Sequence, residues 1–463
     1  MKVQIKDLGV LKEANFEVGN LTVICGENNT GKTYATYALY GFLDFWNIFE
    51  GMQLVNDESI YSLLKHGKLR INTDNINLDG RLKDVCTYVS NDLARVFGSR
   101  EKYFTGASIS VSQSDLYLRV INKTSTDKIY NRDIFTLQFV KESLSNNLLV
   151  VLKSIPLEVS EEYSHTLYYP VNRMITDALY ENYFPIPYIA SIERTGAAMF
   201  QKELDIRRNQ LFERMNDAKN ASTIELWLSA NDVRYASPVR HNLDFIRDLE
   251  NFTKINSEIV KNNPEIGDFF DKCAGGQYIV TMEGIYFIPH KSNIRLTMGE
   301  SASSVRSLLN LGMFIKHIAK PGTLLMIDEP ELNLHPKNQR MIARLLAKLV
   351  NAGVRVYITT HSDYIIREFN TLIMLKSKGA AVKRIMEKYG YTEDELLNMS
   401  DIKAYRARQE RIYVEGRKSK KLCNVIAPAT VGECGIEAAE LDDTIYLMNE
   451  IQDSIIFSEV EYE

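Results

Sequence analysis

Two short runs of residues in this chain are equipped for chemistry. Gly26-Glu27-Asn28-Asn29-Thr30-Gly31-Lys32-Thr33 has the spacing G-x-x-x-x-G-K-T. Its glycines let backbone N–H groups close around a row of phosphates, Lys32 brings a positive charge to the terminal oxygens, and the Thr33 hydroxyl can reach a magnesium ion. Far downstream, Leu324-Leu325-Met326-Ile327-Asp328-Glu329 places two carboxylates at the end of an apolar run. One of them suits the metal, and the other can orient and polarise a water for attack on a phosphoryl group. Together the runs point to binding and hydrolysis of a nucleoside triphosphate, with Asp328 as the magnesium partner and Glu329 as the general base.

The neighbouring residues supply elements that can position these groups. Leu21-Thr-Val-Ile-Cys25 reads as a short buried strand, and Thr33 to Phe49 continues as a helix, so the phosphates would meet a helix N-terminus. The apolar run before Asp328 reads as a central parallel strand whose carboxylates emerge at its C-terminal edge, where open α/β sheets hold ligands.

A third run extends the pattern. Asp328-Glu-Pro-Glu-Leu-Asn-Leu-His-Pro336 is followed by a helical stretch and then by Val354-Arg-Val-Tyr-Ile-Thr-Thr-His361-Ser362. This succession resembles the second half of the ABC-type ATPase head found in SMC-like, RecF-like and OLD-type bacterial proteins. The resemblance implies an α/β P-loop NTPase of the ABC-head type, a mixed sheet with helical and β insertions, using ATP and Mg2+. It places Asn333, Leu334 and His335 in a D-loop and gives His361 the role of γ-phosphate sensor. Such heads also cap the nucleotide of a second subunit with a serine-rich signature. The matching stretch here is Glu300-Ser301-Ala302-Ser303-Ser304-Val305-Arg306, with Ser303 and Ser304 as the capping residues. No textual Leu-Ser-Gly-Gly motif is present, and a helix-capping serine cluster accounts for the same letters. If the signature role holds, two heads must face each other for catalysis, which makes the chain its own partner in a homodimer or higher oligomer.

Length and composition fit a multi-part globular chain. Its 463 residues, 45% of them apolar, exceed one ordinary core. We expect head segments at 1–49, 186–196 and 273–380, an insertion with a β-hairpin and a helical lobe at 50–185, a helical lobe at 197–272, and an extension at 381–463. Within the insertion, Ala107–Gln113 and Leu116–Ile121 alternate like strands, while Arg132 to Tyr183 reads as mixed helix. Gly275 to Leu296 reads as a hairpin with Gly284 at its turn, and the head's last strand is expected near Leu372 to Leu375. Glu193 and Arg194 are weaker site candidates, equally readable as a surface ion pair. No run approaches the twenty or so apolar residues of a membrane helix, so a cytoplasmic location without membrane attachment is expected. Cys25, Cys86, Cys273, Cys423 and Cys434 are scattered and read as reduced thiols.

Charge is distributed unevenly in the extension. Eight basic residues fall between Lys403 and Lys421, whereas the 42 residues after Lys421 hold none and carry ten acidic ones. The basic run could meet phosphates or an acidic protein surface, or form a solvated helix face. Glu440-Leu-Asp-Asp443 supplies no D-x-D pair and the seven histidines show no nuclease spacing, so a TOPRIM or H-N-H nuclease is not expected within the chain. The resemblance thus narrows to ATPase subunits of bacterial anti-phage systems such as Septu and PARIS, which work with a separate nuclease or toxin effector and answer to a phage protein or DNA trigger. The alternative is a RecF-like repair or recombination ATPase that binds DNA.

Overall fold

The computed structural model describes residues 1–48, 55–72, 78–112, 127–132, 135–141, 147–154, 171–172, 184–200, 235–378, 382–413, 419–437 and 439–458. The chain divides into two compact units, one of Met1–Lys2, Phe42–Ser90 and Ser110–Ile186, the other of Val3–Gly41, Asn91–Ile109 and Pro187–Glu463.

The larger unit is organised by a nine-stranded mixed sheet. Its order is Ser108–Ser112, Lys2–Leu8, Leu11–Glu17, Lys420–Pro428, Ile402–Tyr413, Leu21–Gly26, Arg355–Thr360, Leu324–Asp328 and Pro187–Ala190. The last five strands run parallel to one another. Every residue of Leu21–Gly26 and of Leu324–Asp328 is buried, as expected of strands covered on both faces. Helices Ser303–Met313, Pro336–Asn351 and Asp363–Ser377 contribute Leu308, Leu309, Leu345, Leu346, Phe369 and Leu372 to the core beside these strands. Gly275 closes helix Pro264–Ala274 in the left-handed region, and the hairpin Gly276–Thr281 with Gly284–Pro289 follows, as its sequence predicted.

The smaller unit holds a four-stranded antiparallel sheet in the order Lys68–Asn72, Asn147–Ser154, Phe135–Lys141 and Asp127–Arg132. Helix Asp57–His66 precedes it, capped by Asn56, which accepts a hydrogen bond from the Ser59 N–H.

Three sequence expectations are corrected. In its described part up to Ser154, the stretch expected as mixed helix from Arg132 holds two strands: Leu137 and Phe139 alternate with polar neighbours, and Leu148 to Leu152 is rich in branched side chains. No strand lies at Leu372–Leu375; these residues belong to helix Asp363–Ser377, whose buried Ile365, Ile366, Phe369, Leu372 and Ile373 follow helical spacing. Over its described residues the basic run is not a helix face, since Ile402–Tyr413 and Lys420–Pro428 form an antiparallel pair belonging to the main sheet, whereas Arg417 and Lys418 lie outside the described residues. The alternating strand expected at Leu116–Ile121 lies outside the described residues.

This pairing makes the C-terminal strands part of the head's own core. Ending the chain near residue 380 would remove Ile402–Tyr413, the strand paired to one side of Leu21–Gly26, and expose that backbone edge. Such a truncation is expected to give insoluble or unfolded protein, read by circular dichroism and thermal melting; a native-like melt would contradict this packing.

His241 adds a pH dependence. It is buried between the rings of Tyr40 and Tyr188, its Nε2 has no hydrogen-bond partner, and burial pushes its pKa down to about 4. Because the folded value lies below the ordinary one, its stabilising effect is complete above about pH 6.5 and is lost as the pH falls toward 4, at up to about 3 kcal/mol. Urea titrations of His241→Phe should lose that part of the acid sensitivity, whereas an unchanged acid slope would exclude His241 as its source.

Candidate active site

Three strands end almost level and bring the chemistry of the two runs to one edge of the sheet. In register, Ile24 lies beside Thr359 and Cys25 beside Thr360, while Thr359 on its other side pairs with Asp328. Gly26 ends its strand at φ 143, and a Cβ there would sit 2.1 Å from the Ala407 carbonyl oxygen. Only glycine accepts both the dihedral and the approach. The loop then turns through Asn29 (φ 64) and Gly31 (φ 97), pinned across its base by the Thr30 hydroxyl donating to the Glu27 carbonyl at 2.8 Å. Glu27, Asn28 and Asn29 present exposed side chains, while Thr30, Gly31 and Lys32 are buried.

Lys32 opens helix Lys32–Ile48, one residue before the expected start, and its ammonium donates to the carbonyls of Gly26 at 2.9 Å and Glu27 at 2.6 Å. Burial draws its pKa down, against the opposing pull of Glu329, Asp328 and Glu331. A lysine charge is therefore held among three carboxylates, inside the loop whose glycines free its N–H groups.

Asp328 is 1% exposed. The Thr359 hydroxyl donates to its Oδ1, whereas Oδ2 makes no hydrogen bond. Burial raises its pKa to about 6, and the neighbouring hydroxyls of Thr359 and Thr33 pull the other way by favouring the carboxylate. An unpaired buried carboxylate oxygen close to a threonine hydroxyl is a donor set for a hard divalent cation, which takes oxygen ligands and shares itself with phosphates and water. The residues present thus fit Mg2+. Among the described residues there is no cluster of three or more His, Cys, Asp and Glu that could hold a metal by itself.

Beyond Asp328 the chain leaves the strand sharply. Glu329 takes a left-handed φ of 53, and its N–H still reaches the Thr359 carbonyl at 3.1 Å. Its Oε1 lies 3.5 Å from His361 Nδ1, and that contact holds the carboxylate pKa below its usual range despite partial burial. The same Nδ1 also lies 3.2 Å from Glu331 Oε1, so two carboxylates converge on one ring nitrogen. The hydrogen bond with Glu329 leads in raising its pKa, and the charge of Glu331 adds to it.

Glu331 is the residue that sequence reading passed over. It is 5% exposed, and its Oε1 accepts from the Thr360 hydroxyl and the His361 N–H, both at 2.8 Å, leaving Oε2 without a partner. A third carboxylate, following Pro330 and two residues past Glu329, was the available signal. It ties the histidine to the strand end.

Arg194 does not form the surface ion pair that was one of its two readings. It is 2% exposed and spends its guanidinium on four carbonyls: Ser191 at 2.9 Å, Ser307 at 3.0 Å, Asp328 at 2.7 Å and Glu329 at 2.7 Å. Glu193 instead accepts from the Tyr37 hydroxyl at 2.7 Å. Arg194 joins the first turns of the serine helix to the carboxylate strand.

Ser303 and Ser304 open helix Ser303–Met313, one exposed and the other half-buried, with unpaired N–H groups of a first helical turn beside them. No hydrogen bond or ion pair between them and the phosphate loop occurs among the described residues. Asn333 adopts φ 61, and His335 caps helix Pro336–Asn351 by accepting from the Lys337 N–H at 3.2 Å.

The family described as "AAA ATPase domain" matches residues 1–366. The chain belongs to that family. Its α/β core is accordingly a P-loop NTPase fold, and strands Ile402–Tyr413 and Lys420–Pro428 complete the sheet beyond the matched region. Over 79 residues the chain is 37% identical to "ABC multidrug transporter SNQ2" of Candida glabrata and 35% identical to "Protein SNQ2" of Saccharomyces cerevisiae. Each match covers 17% of this chain and 5% of the relative, so the chain spans about a twentieth of those proteins. Among solved structures it is similar to the Smc head domain with extended coiled coil bound to the C-terminal domain of ScpA, from Pyrococcus furiosus. That likeness has 12% identity, 97% and 98% coverage of the two chains and a TM-score of 0.31. The SMC head domain from Thermotoga maritima gives 12% identity, 93% and 98% coverage and a TM-score of 0.29. Both likenesses are too slight to bear on function. Among the described residues, no helix of the AAA ATPase domain or its flanks is long and apolar enough to cross a membrane.

Replacing Arg194 by Met would take the guanidinium from four carbonyls, of which that of Ser191 keeps the Arg194 backbone N–H, and a loss of about 3 kcal/mol or more in urea unfolding is expected. Arg194→Lys should recover only part of it, because one ammonium cannot span the set. Wild-type stability in Arg194→Met would refute this bracing role.

Proposed function

We propose that this chain binds ATP with Mg2+, hydrolyses it, and serves as the regulatory ATPase of a bacterial anti-phage complex whose effector is a separate nuclease or toxin. The observation that carries the ATPase reading is the convergence of Lys32, Asp328, Glu329, Glu331 and His361 at the end of three adjacent strands.

In this reading the loop from Gly26 to Thr33 wraps the phosphates with its N–H groups, and Lys32 exchanges its loop carbonyls for β- and γ-oxygens. Thr33 and Asp328 are the ligands for Mg2+, which when bound would neutralise the developing phosphate charge. Glu329, kept ionised by His361, orients the attacking water and draws its proton. Glu331 fixes His361 through its backbone N–H and its Nδ1, so that the histidine can report the γ-phosphate to the rest of the head. Ser303 and Ser304 act across a head-to-head interface on the nucleotide of a second copy. Since hydrolysis then needs two chains, nucleotide state and assembly state are coupled. A coupling of that kind regulates an effector only if the effector binds the two states differently. A phage protein or DNA would act as trigger by shifting that balance.

Glu329→Gln should lower turnover by about 10²- to 10⁴-fold while ATP still binds, and light scattering should show ATP-stabilised assemblies. Unchanged turnover would remove Glu329 from the role. Co-expression with the adjacent gene product gives a second check, because an ATP-dependent larger particle that retains the neighbour is expected in wild type and not in Lys32→Ala. A RecF-like DNA-repair ATPase is the second reading, favoured by the exposed basic ends of Ile402–Tyr413 and Lys420–Pro428. ATP turnover stimulated by DNA alone, with no effect of the neighbour, would select it.

A further inference from the structure

The C-terminal hairpin outruns the sheet that holds it. Ile402–Tyr413 pairs with Leu21–Gly26 only from Ile402 to Ala407, and Lys420–Pro428 pairs with Leu11–Glu17 only from Asn424 onward. Glu410–Tyr413 and Lys420–Cys423 are therefore paired only with each other, among the described residues. Four residues of strand reach about 13 Å. Because Ala407 lies beside Gly26 and the two strands run parallel, this ribbon projects from the same edge of the sheet as the phosphate loop.

Its composition is unusual for a projecting edge. Gln409 lies opposite Asn424, Arg411 opposite Leu422 and Tyr413 opposite Lys420, so these six share one face. Tyr413 is 70% exposed and Leu422 54% exposed, and the Lys420 ammonium sits 5.4 Å from the centre of the Tyr413 ring. Arg408 pairs with Glu410 at 3.0 Å, whereas Arg411, Lys420 and Lys421 have no carboxylate partner among the described residues. Lysines by themselves can serve to keep a strand edge from pairing, but an exposed tyrosine and leucine on the same face work against that purpose. In a chain of net charge −5, three unpaired cations on one thin ribbon call for a polyanion. At the foot of the ribbon Asn424 donates to the Val10 carbonyl at 3.1 Å and to the Asn29 carbonyl of the phosphate loop at 3.4 Å.

We propose that this two-stranded ribbon is a docking surface for duplex nucleic acid, with Tyr413 and Leu422 against the groove wall, Arg411 and Lys420 on backbone phosphates from that same face, and Lys421, opposite Ile412 on the other face, on a flanking phosphate. A ribbon two strands wide fits a major groove about 12 Å across. Asn424 would connect the bound duplex to the phosphate loop. The inference stands on the ribbon alone and is tested without nucleotide, so its failure is separate from failure of the ATPase reading.

The test is fluorescence anisotropy of a labelled 30-base-pair duplex with the full chain, over roughly 50 to 200 mM salt. Variants are Arg411→Glu with Lys420→Glu and Lys421→Glu combined, Tyr413→Ala alone, and Lys388→Glu as a charge control on helix Lys383–Tyr389. Wild type and Lys388→Glu should bind alike. The triple variant should lose at least about tenfold in affinity, and its salt slope should fall by about 2 to 3, near 0.9 per lost phosphate contact. Tyr413→Ala should weaken binding with the slope unchanged, and matching thermal melts establish that the variants fold. Absence of wild-type binding at the lowest salt, or equal affinity of the triple variant, would overturn the proposal. So would a ribbon-dependent change of mass by light scattering in the absence of duplex, which would make the ribbon's partner a second copy of the chain.

Discussion

The site depends on one buried cation. Arg194 holds the backbone at Asp328 and Glu329 through their carbonyls, and the same guanidinium grips Ser307 in the serine helix and Ser191 at the end of the edge strand. Three carboxylates within four residues would repel one another in a dry setting, and a charge so enclosed would be costly without them. Each offsets the other: Asp328, Glu331 and Glu329 keep Arg194 charged against its desolvation, while Arg194 and Lys32 temper the carboxylates. The left-handed turn at Glu329 is held by bonds on both sides of its peptide, from Arg194 and to Thr359. The serine helix and the carboxylate strand are therefore coupled through one side chain.

A second constraint comes from the far end of the chain. The first glycine of the phosphate loop is pressed against Ala407, and Gly31 lies 3.0 Å, at its hypothetical Cβ, from Leu11. The loop is shaped by strands from both termini. The basic ribbon grows out of one of those strands, so whatever binds it acts on a neighbour of the loop rather than on a remote tail.

Much of this was legible in the sequence because local chemistry determined it. The loop's glycines, the apolar run before Asp328, and His361 at the end of Val354–Thr360 are local patterns with one geometric solution each. Glu331 was harder, because its meaning is its distance from His361, set by two strands whose pairing no local pattern specifies. For the same reason sequence alone leaves Arg194 open between a site residue and a surface ion pair, since its four acceptors are carbonyls spread over more than a hundred residues of sequence. The basic run was ambiguous because charged residues on a partly free ribbon show neither clean alternation nor helical spacing. The helix expected after Arg132 failed where Phe135–Lys141 and Asn147–Ser154 find partners across the sheet, which overrides weak local preference.

The central claim is that Asp328 and the loop residues form one site for a metal-bound triphosphate. Calorimetric titration of ATP into the chain, with and without Mg2+, tests it most directly when repeated on Asp328→Asn and Lys32→Ala. The account predicts tight binding that strengthens with Mg2+ in wild type, loss of the Mg2+ dependence in Asp328→Asn, and loss of binding in Lys32→Ala. Equal Mg2+-dependent affinity in all three proteins would contradict it.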